Sequence, residues 1–446
     1  ANTYTGDTRV DFGTLRLGAS GVIADTSTLF VASGATLDLQ GHDETVAIAV
    51  LNGTVDSSVF APPAPLFVTD SKGSDGRTSL PAAAPGGTGT LTAAEYQLNG
   101  ATINANLGTG DLFNTGGVST LNGTAAAGLV SVQAGTLRLG DSERLADTAT
   151  LSVASGATLN LQSYDETVAI ALLNGTVNGV GTVAGPLLFT DSKGGDGRTS
   201  LPAATPAGTG TLTAAQYQLN GATINANLGT GDLFNTGGVS TLNGTAAAEL
   251  VSVQAGTLRL GADDRLADTA TLFVASGATL ELLGHDETVS IAALNGTVNG
   301  VGFRPSAPLT LPALEDGKGG DGRSSLPAAA AAGTGTLTAA EYQLNGATIN
   351  ANLGAGTLFN LGGVSTLSGT AAAGLVSVQA GTLRLGADER LADTATASVS
   401  IGATLDLQGF DETVALTALG GTLNGTGTLT AAEYQLNGAT INANLG

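Results

Sequence analysis

The chain has 446 residues, with 67 Gly, 12 Pro, no Cys, no Met and no Trp, and carries 37 Asp+Glu against 15 Lys+Arg for a formal charge of -22. That balance excludes a polyanion-binding surface, so nucleic acid and anionic membranes are not expected partners. The absence of Cys excludes disulfides and thiolate metal sites, and no apolar run is long enough for a membrane span.

The string GTLRLG begins at Gly13, Gly135, Gly256 and Gly381, at intervals of 122, 121 and 125 residues. The fourth copy runs uninterrupted from Gly420, GGTLNGTGTLTAAEYQ, where the others carry Pro-rich insertions near residues 58–87, 180–208 and 301–333. Without them every interval is 92 residues. The repeats therefore span 13–134, 135–255, 256–380 and an incomplete 381–446, within one expected domain, 1–446.

Inside each repeat, Thr followed by Leu, Val or Ile marks a shorter period. The first has Thr14, Thr36, Thr54, Thr102 and Thr120, the second Thr136, Thr158, Thr176, Thr223 and Thr241. The third has Thr257, Thr279, Thr297, Thr348 and Thr366, and the last Thr382, Thr404, Thr422 and Thr440. With insertions removed the steps are 22, 18, 18, 18 and 16 residues. Around the marks apolar and polar residues alternate, as in Thr14-Leu15-Arg16-Leu17, which predicts strands with Leu inward and Thr outward. Asn-Gly pairs (Asn52-Gly53, Asn122-Gly123, Asn174-Gly175, Asn243-Gly244) predict corners with positive φ. Strand, corner and strand in about 18 residues is one coil of an all-β parallel β-solenoid, because such a coil buries its apolar side only against copies above and below. Nineteen coils at ~4.8 Å predict a stack on the order of 85 Å, with the nineteen threonines in one file. The three insertions all enter at the third coil of a repeat and are expected to leave one side of it.

The opening Asn2-Thr3-Tyr4-Thr5-Gly6-Asp7-Thr8-Arg9-Val10 leading into Gly13-Thr14-Leu15-Arg16-Leu17-Gly18 resembles the autotransporter-associated β-strand repeat of bacterial autotransporter passenger domains. Degraded copies precede each later GTLRLG, as in Val130-Ser131-Val132-Gln133-Ala134-Gly135-Thr136-Leu137. The resemblance implies a right-handed β-helix, secreted or displayed on a Gram-negative surface, commonly as an adhesin or stalk. The family's C-terminal translocator barrel has no counterpart here, so a cleaved passenger, a fragment and a free-standing secreted relative are all expected alternatives.

Catalytic groups should be singular and structural ones should recur. His42 and His285 are replaced by Tyr164 and Phe410 in the other repeats, which fits a ring covering a coil edge rather than a base or ligand. The pairs Asp43-Glu44, Asp165-Glu166, Asp286-Glu287 and Asp411-Glu412 occur four times and are read as solvated corners, since neighbours in a strand face opposite ways and do not form a glycosidase pair. Arg16, Arg138, Arg259 and Arg384 are expected to pair with outward acids of adjoining coils such as Asp38 and Glu281. No catalytic, cofactor-binding or firm metal site emerges. In the insertions, Asp70 and Asp75, Asp191 and Asp196, and Asp321 faintly match a calcium loop but lack the full oxygen set; calcium, a plain arm and a partner contact all remain open there.

The expected function is a non-enzymatic extracellular shaft or matrix fibre, with self-association head to tail through open terminal coils and loop contacts to surface glycans or proteins. A polysaccharide-degrading β-helix enzyme is the alternative, and an ice- or mineral-binding surface the second.

Overall fold

A computed structural model describes residues 4–57, 89–180, 210–301 and 335–446. These residues contain strands and no helix, stacked in parallel as a β-solenoid of about 19 turns of ~18 residues. No helix among them is therefore long and apolar enough to cross a membrane. The three insertions lie outside the described residues except for Val180 and Val301, and with them Asp70, Asp75, Asp191, Asp196 and Asp321. Contacts divide the chain into two compact halves, residues 1–233 with 244–247, and 234–243 with 248–446.

Both halves carry a long-strand face and a threonine face, and the first repeat adds a separate short face whose counterparts later run on within the long strands. In the first half, a long-strand face runs through Thr28–Val31, Ile48–Leu51, Glu95–Asn99, Asp111–Gly116, Leu129–Val132 and Thr150–Val153. A threonine face runs through Thr14–Arg16, Thr36–Asp38, Thr54–Asp56, Thr102–Ile103, Val118–Leu121 and Thr136–Leu139. A short face holds Glu44–Thr45, Thr90–Thr92 and Asn106–Leu107. The second half repeats the first two faces, with Thr271–Val274, Glu287–Leu294 and Thr336–Asn345 on the long-strand face and Thr257–Leu260, Thr279–Glu281 and Thr297–Asn299 on the threonine face.

Alternation sets the core. Leu29, Ala49, Tyr96, Leu112, Val130 and Leu151 follow one another in register and are all buried. Each fully buried Leu or Val is worth ~1.5–3 kcal/mol against exposure, and its nearest apolar neighbours belong to adjacent coils, so no coil is stable alone. The largest fully buried side chains are Tyr96, Tyr217 and Tyr342. They fit because the phenol is hydrogen-bonded: Ala93 N–H donates to Tyr96 Oη at 2.9 Å, and Tyr96 Oη donates to the Leu91 carbonyl at 2.9 Å. Burial pushes this phenol up to about 12.

Two local expectations are corrected. The glycines of Asn52-Gly53, Asn122-Gly123, Asn174-Gly175 and Asn243-Gly244 do not adopt positive φ. They are needed because coils touch there: a Cβ on Gly123 would lie 1.9 Å from the Ala105 carbonyl oxygen. Positive φ belongs instead to glycines that open the GTLRLG strands, such as Gly135 at 67°.

The threonine file also steps. Thr14, Thr36, Thr54, Thr102 and Thr120 are in mutual register. Thr120 then faces Arg138, and Thr136 faces Val118. The same two-residue stagger sets Thr241 against Arg259 and Thr366 against Arg384. The 16-residue sequence step thus hides an 18-residue coil, Val118 to Thr136, and an exposed Val occupies the threonine position.

Candidate functional site

The densest polar chemistry lies at the corner where Asp and Glu adjoin, beside the root of each insertion. Alternation sends the two carboxylates in opposite directions, and the structure corrects the solvated reading for one of them: Glu44, Glu166, Glu287 and Glu412 are each 1% exposed. Glu166 Oε2 accepts the Arg144 N–H at 2.8 Å and its Oε1 the Leu145 N–H at 3.0 Å. Glu287 receives Arg265 and Leu266 in the same way, Glu412 receives Arg390 and Leu391, and Glu44 receives Val22 and Ile23. These donors lie 21 or 22 residues earlier, in the preceding coil, and Glu44 Oε1 also accepts the adjacent Thr45 N–H.

The adjacent aspartate reaches the other way. Asp43 Oδ1 accepts the Thr90 N–H at 2.9 Å, across the first insertion, and Asp165 accepts Thr211 and Asp286 accepts Thr336 across the other two. Where no insertion intervenes Asp411 makes the same bond to Thr428. Each Asp-Glu pair therefore clasps three successive coils, and the first three anchor the chain where it returns from an insertion.

Desolvation by burial, only partly offset by the backbone donors, pushes the carboxyls of Glu166, Glu287 and Glu412 up to about 7. Acidic neighbours add to the rise: Glu143 for Glu166, Asp264 for Glu287 and Glu389 for Glu412. A carboxyl titrating near neutrality is a common attribute of a general acid. Here both oxygens are spent on buried backbone N–H groups, which leaves no geometry for substrate.

Around this corner the sequence reading missed Arg144, Arg265 and Arg390. Arg144 Nη1 donates to the Asn122 carbonyl at 2.9 Å and its Nε to the Ser142 carbonyl at 3.0 Å, with equivalent bonds from Arg265 and Arg390. The signal was the Arg-Leu-Ala-Asp string placed 22 residues before each later Glu. The Asp286 N–H donates to Asp263 Oδ1 at 3.0 Å and His285 Nδ1 lies 3.1 Å from the same oxygen; the first and then the second hold Asp263 below the usual carboxylate range.

The threonine face carries a second polar file. Arg16 pairs with Asp38 at 3.4 Å, Arg259 with Glu281 at 2.6 Å and Arg384 with Asp406 at 3.3 Å, as read from the spacing. Arg138 faces Asn160 instead, and its Nε is buried without a hydrogen-bond partner. Amides continue the file: Asn122 donates to Asn104 at 2.7 Å, Asn225 to Asn178 at 2.8 Å and Asn350 to Asn299 at 2.9 Å. Among the described residues no group of three or more His, Asp or Glu is placed to hold a metal ion. No protein-family model, curated protein or solved structure matches the chain.

Proposed function

We propose that the chain is a non-enzymatic extracellular scaffold, an adhesin shaft or a matrix fibre, whose insertions contact glycans or proteins of another surface. One observation carries this reading: the clasp carboxylates recur at the same coil of every repeat and spend their oxygens on neighbouring coils. A catalytic centre requires one place that departs from the pattern. The resemblance of residues 2–18 to autotransporter passenger repeats supports display outside a Gram-negative cell, and loops on a rigid scaffold are where recognition commonly resides.

Self-association head to tail belongs to the same reading. Coil-to-coil pairing is parallel throughout the described residues, and a coil edge left unpaired would offer the same parallel pairing to another copy. Electron microscopy and light scattering over a concentration series test it, together with a depolymerase screen against acidic and neutral glycans. Particles that lengthen with concentration and a screen without turnover are expected. A monodisperse 43.3 kDa species at high concentration removes the filament, and turnover of any glycan removes the non-enzymatic reading.

A further inference from the structure

The outer side of the long-strand face in the first half carries a shallow open groove of about 200 Å³, lined by Glu95, Gln97, Phe113, Thr115 and Gln133. It arises from backbone irregularity. Tyr96 and Leu112 pair across a coil of only 16 residues, and the register then shifts between Asn114 and Gly116, leaving Thr115 as an extra residue. Bulges of this kind bend a strand and re-aim its side chains. Thr115 Oγ1 donates to the Leu98 carbonyl at 3.1 Å, which fixes the bulge. Gln97 and Phe113 sit side by side in register, and Gln97 Nε2 donates to Glu95 Oε1 at 2.5 Å, which orients the amide.

From this constellation we infer that the groove binds a neutral oligosaccharide. A half-buried ring beside two amides, a hydroxyl and a carboxylate offers an apolar platform for sugar C–H groups, with donors and acceptors around it for hydroxyls. Glu95 and the neighbouring Asp111, on a chain of charge -22, repel anionic polymers. An added β-strand is excluded because the groove lies on a sheet face whose backbone groups are paired. The volume is below the ~300 Å³ at which enclosed small-molecule pockets begin, so the fitting ligand is a chain laid across the surface. The second half repeats part of the chemistry with Glu341, Gln343, Phe359 and Gln379: Gln343 again pairs with Phe359 and the register again shifts, between Leu344 and Asn345, but Leu361 stands in place of Thr115 and Thr357 in place of Asp111.

This deepens the adhesive reading and rests on it for its biological use. The test is saturation-transfer NMR and titration calorimetry on the full chain, with cellohexaose, maltohexaose and N-acetylated chitohexaose as probes and hexagalacturonate and tetramethylammonium as counter-probes. At least one neutral hexasaccharide is expected to bind. Phe113→Ala should weaken the association roughly fivefold, the loss of one aromatic contact of ordinary strength, and Phe113→Ala with Phe359→Ala should weaken it further. Gln97→Lys, which keeps the ring and blocks the groove, guards against misfolding of the alanine variants, and circular dichroism checks the fold. Absence of binding to all three neutral probes, tighter binding of either counter-probe, or variants that bind like the parent overturns the inference. No oligosaccharide binding by the parent chain, with its surface attachment retained, sinks the groove alone. Attachment absent in a chain that still binds oligosaccharide sinks the adhesive reading alone.

Discussion

The buried Tyr96 hydroxyl accepts from the Ala93 N–H and donates to the Leu91 carbonyl, which also receives the Gly108 N–H, so its removal strands the Ala93 N–H. Tyr96→Phe is expected to cost about 1–3 kcal/mol, the penalty for leaving a buried donor unpaired, read as a lower urea midpoint with an unchanged slope. Asn160→Asp should act in the opposite direction. It gives Arg138 the carboxylate that Asp38 and Asp406 supply to Arg16 and Arg384. The new side chain can keep the local bond as well: Asn160 Oδ1 accepts the Gln162 N–H, just as Asp38 and Asp406 accept Gln40 and Gln408. A gain on the order of 1 kcal/mol is expected, because the carboxylate meets a guanidinium Nε that is buried without a partner, beside the buried position 160; destabilisation would count against it. These Arg pairings were legible in the sequence because outward residues 22 positions apart meet by periodicity alone. The burial of Glu166 was not, because alternation reveals which way a side chain faces but not that two N–H groups from the previous coil await it.

At the level of the coil, corners rather than strands decide how closely neighbours stack. Gly123→Ala forces a methyl group to within 1.9 Å of the Ala105 carbonyl oxygen, whereas a Cβ on Gly128 meets nothing within 4 Å. Gly123→Ala is therefore expected to destabilise by ~1–3 kcal/mol or more, as overpacking does, and Gly128→Ala to leave the midpoint within ~0.5 kcal/mol, the range of neutral surface changes. Equal midpoints for the two variants would contradict the close approach. Strand type, inward leucines and coil length could be read from the period-2 pattern and the Thr marks. The cause of the Asn-Gly requirement could not, since a turn needing positive φ and a contact too tight for a side chain select the same residue.

Across the whole chain the clasp acids make stability depend on pH. Glu166, Glu287 and Glu412 rise from 4.5 to about 7 on folding, so between those values the folded chain holds protons that the unfolded chain has released. Stability is then greatest in mild acid and falls as pH rises toward 7, by up to about 1.4 kcal/mol per carboxyl for each unit of separation. Relief of the -22 charge acts in the same direction. Thermal unfolding should occur at higher temperature at pH 5 than at pH 8, with the difference reduced in a Glu166→Gln, Glu287→Gln, Glu412→Gln variant; a melting temperature that climbs with pH would refute this. The stagger between Thr120 and Thr136 has a separate consequence. A slip of two positions preserves parity, so Ser119 and Leu121 still face the interior. Shortening Val118–Leu121 by one residue would turn its remaining side chains inside out, while shortening it by two would merely move the step, so length changes within strands of this chain are tolerated in even numbers.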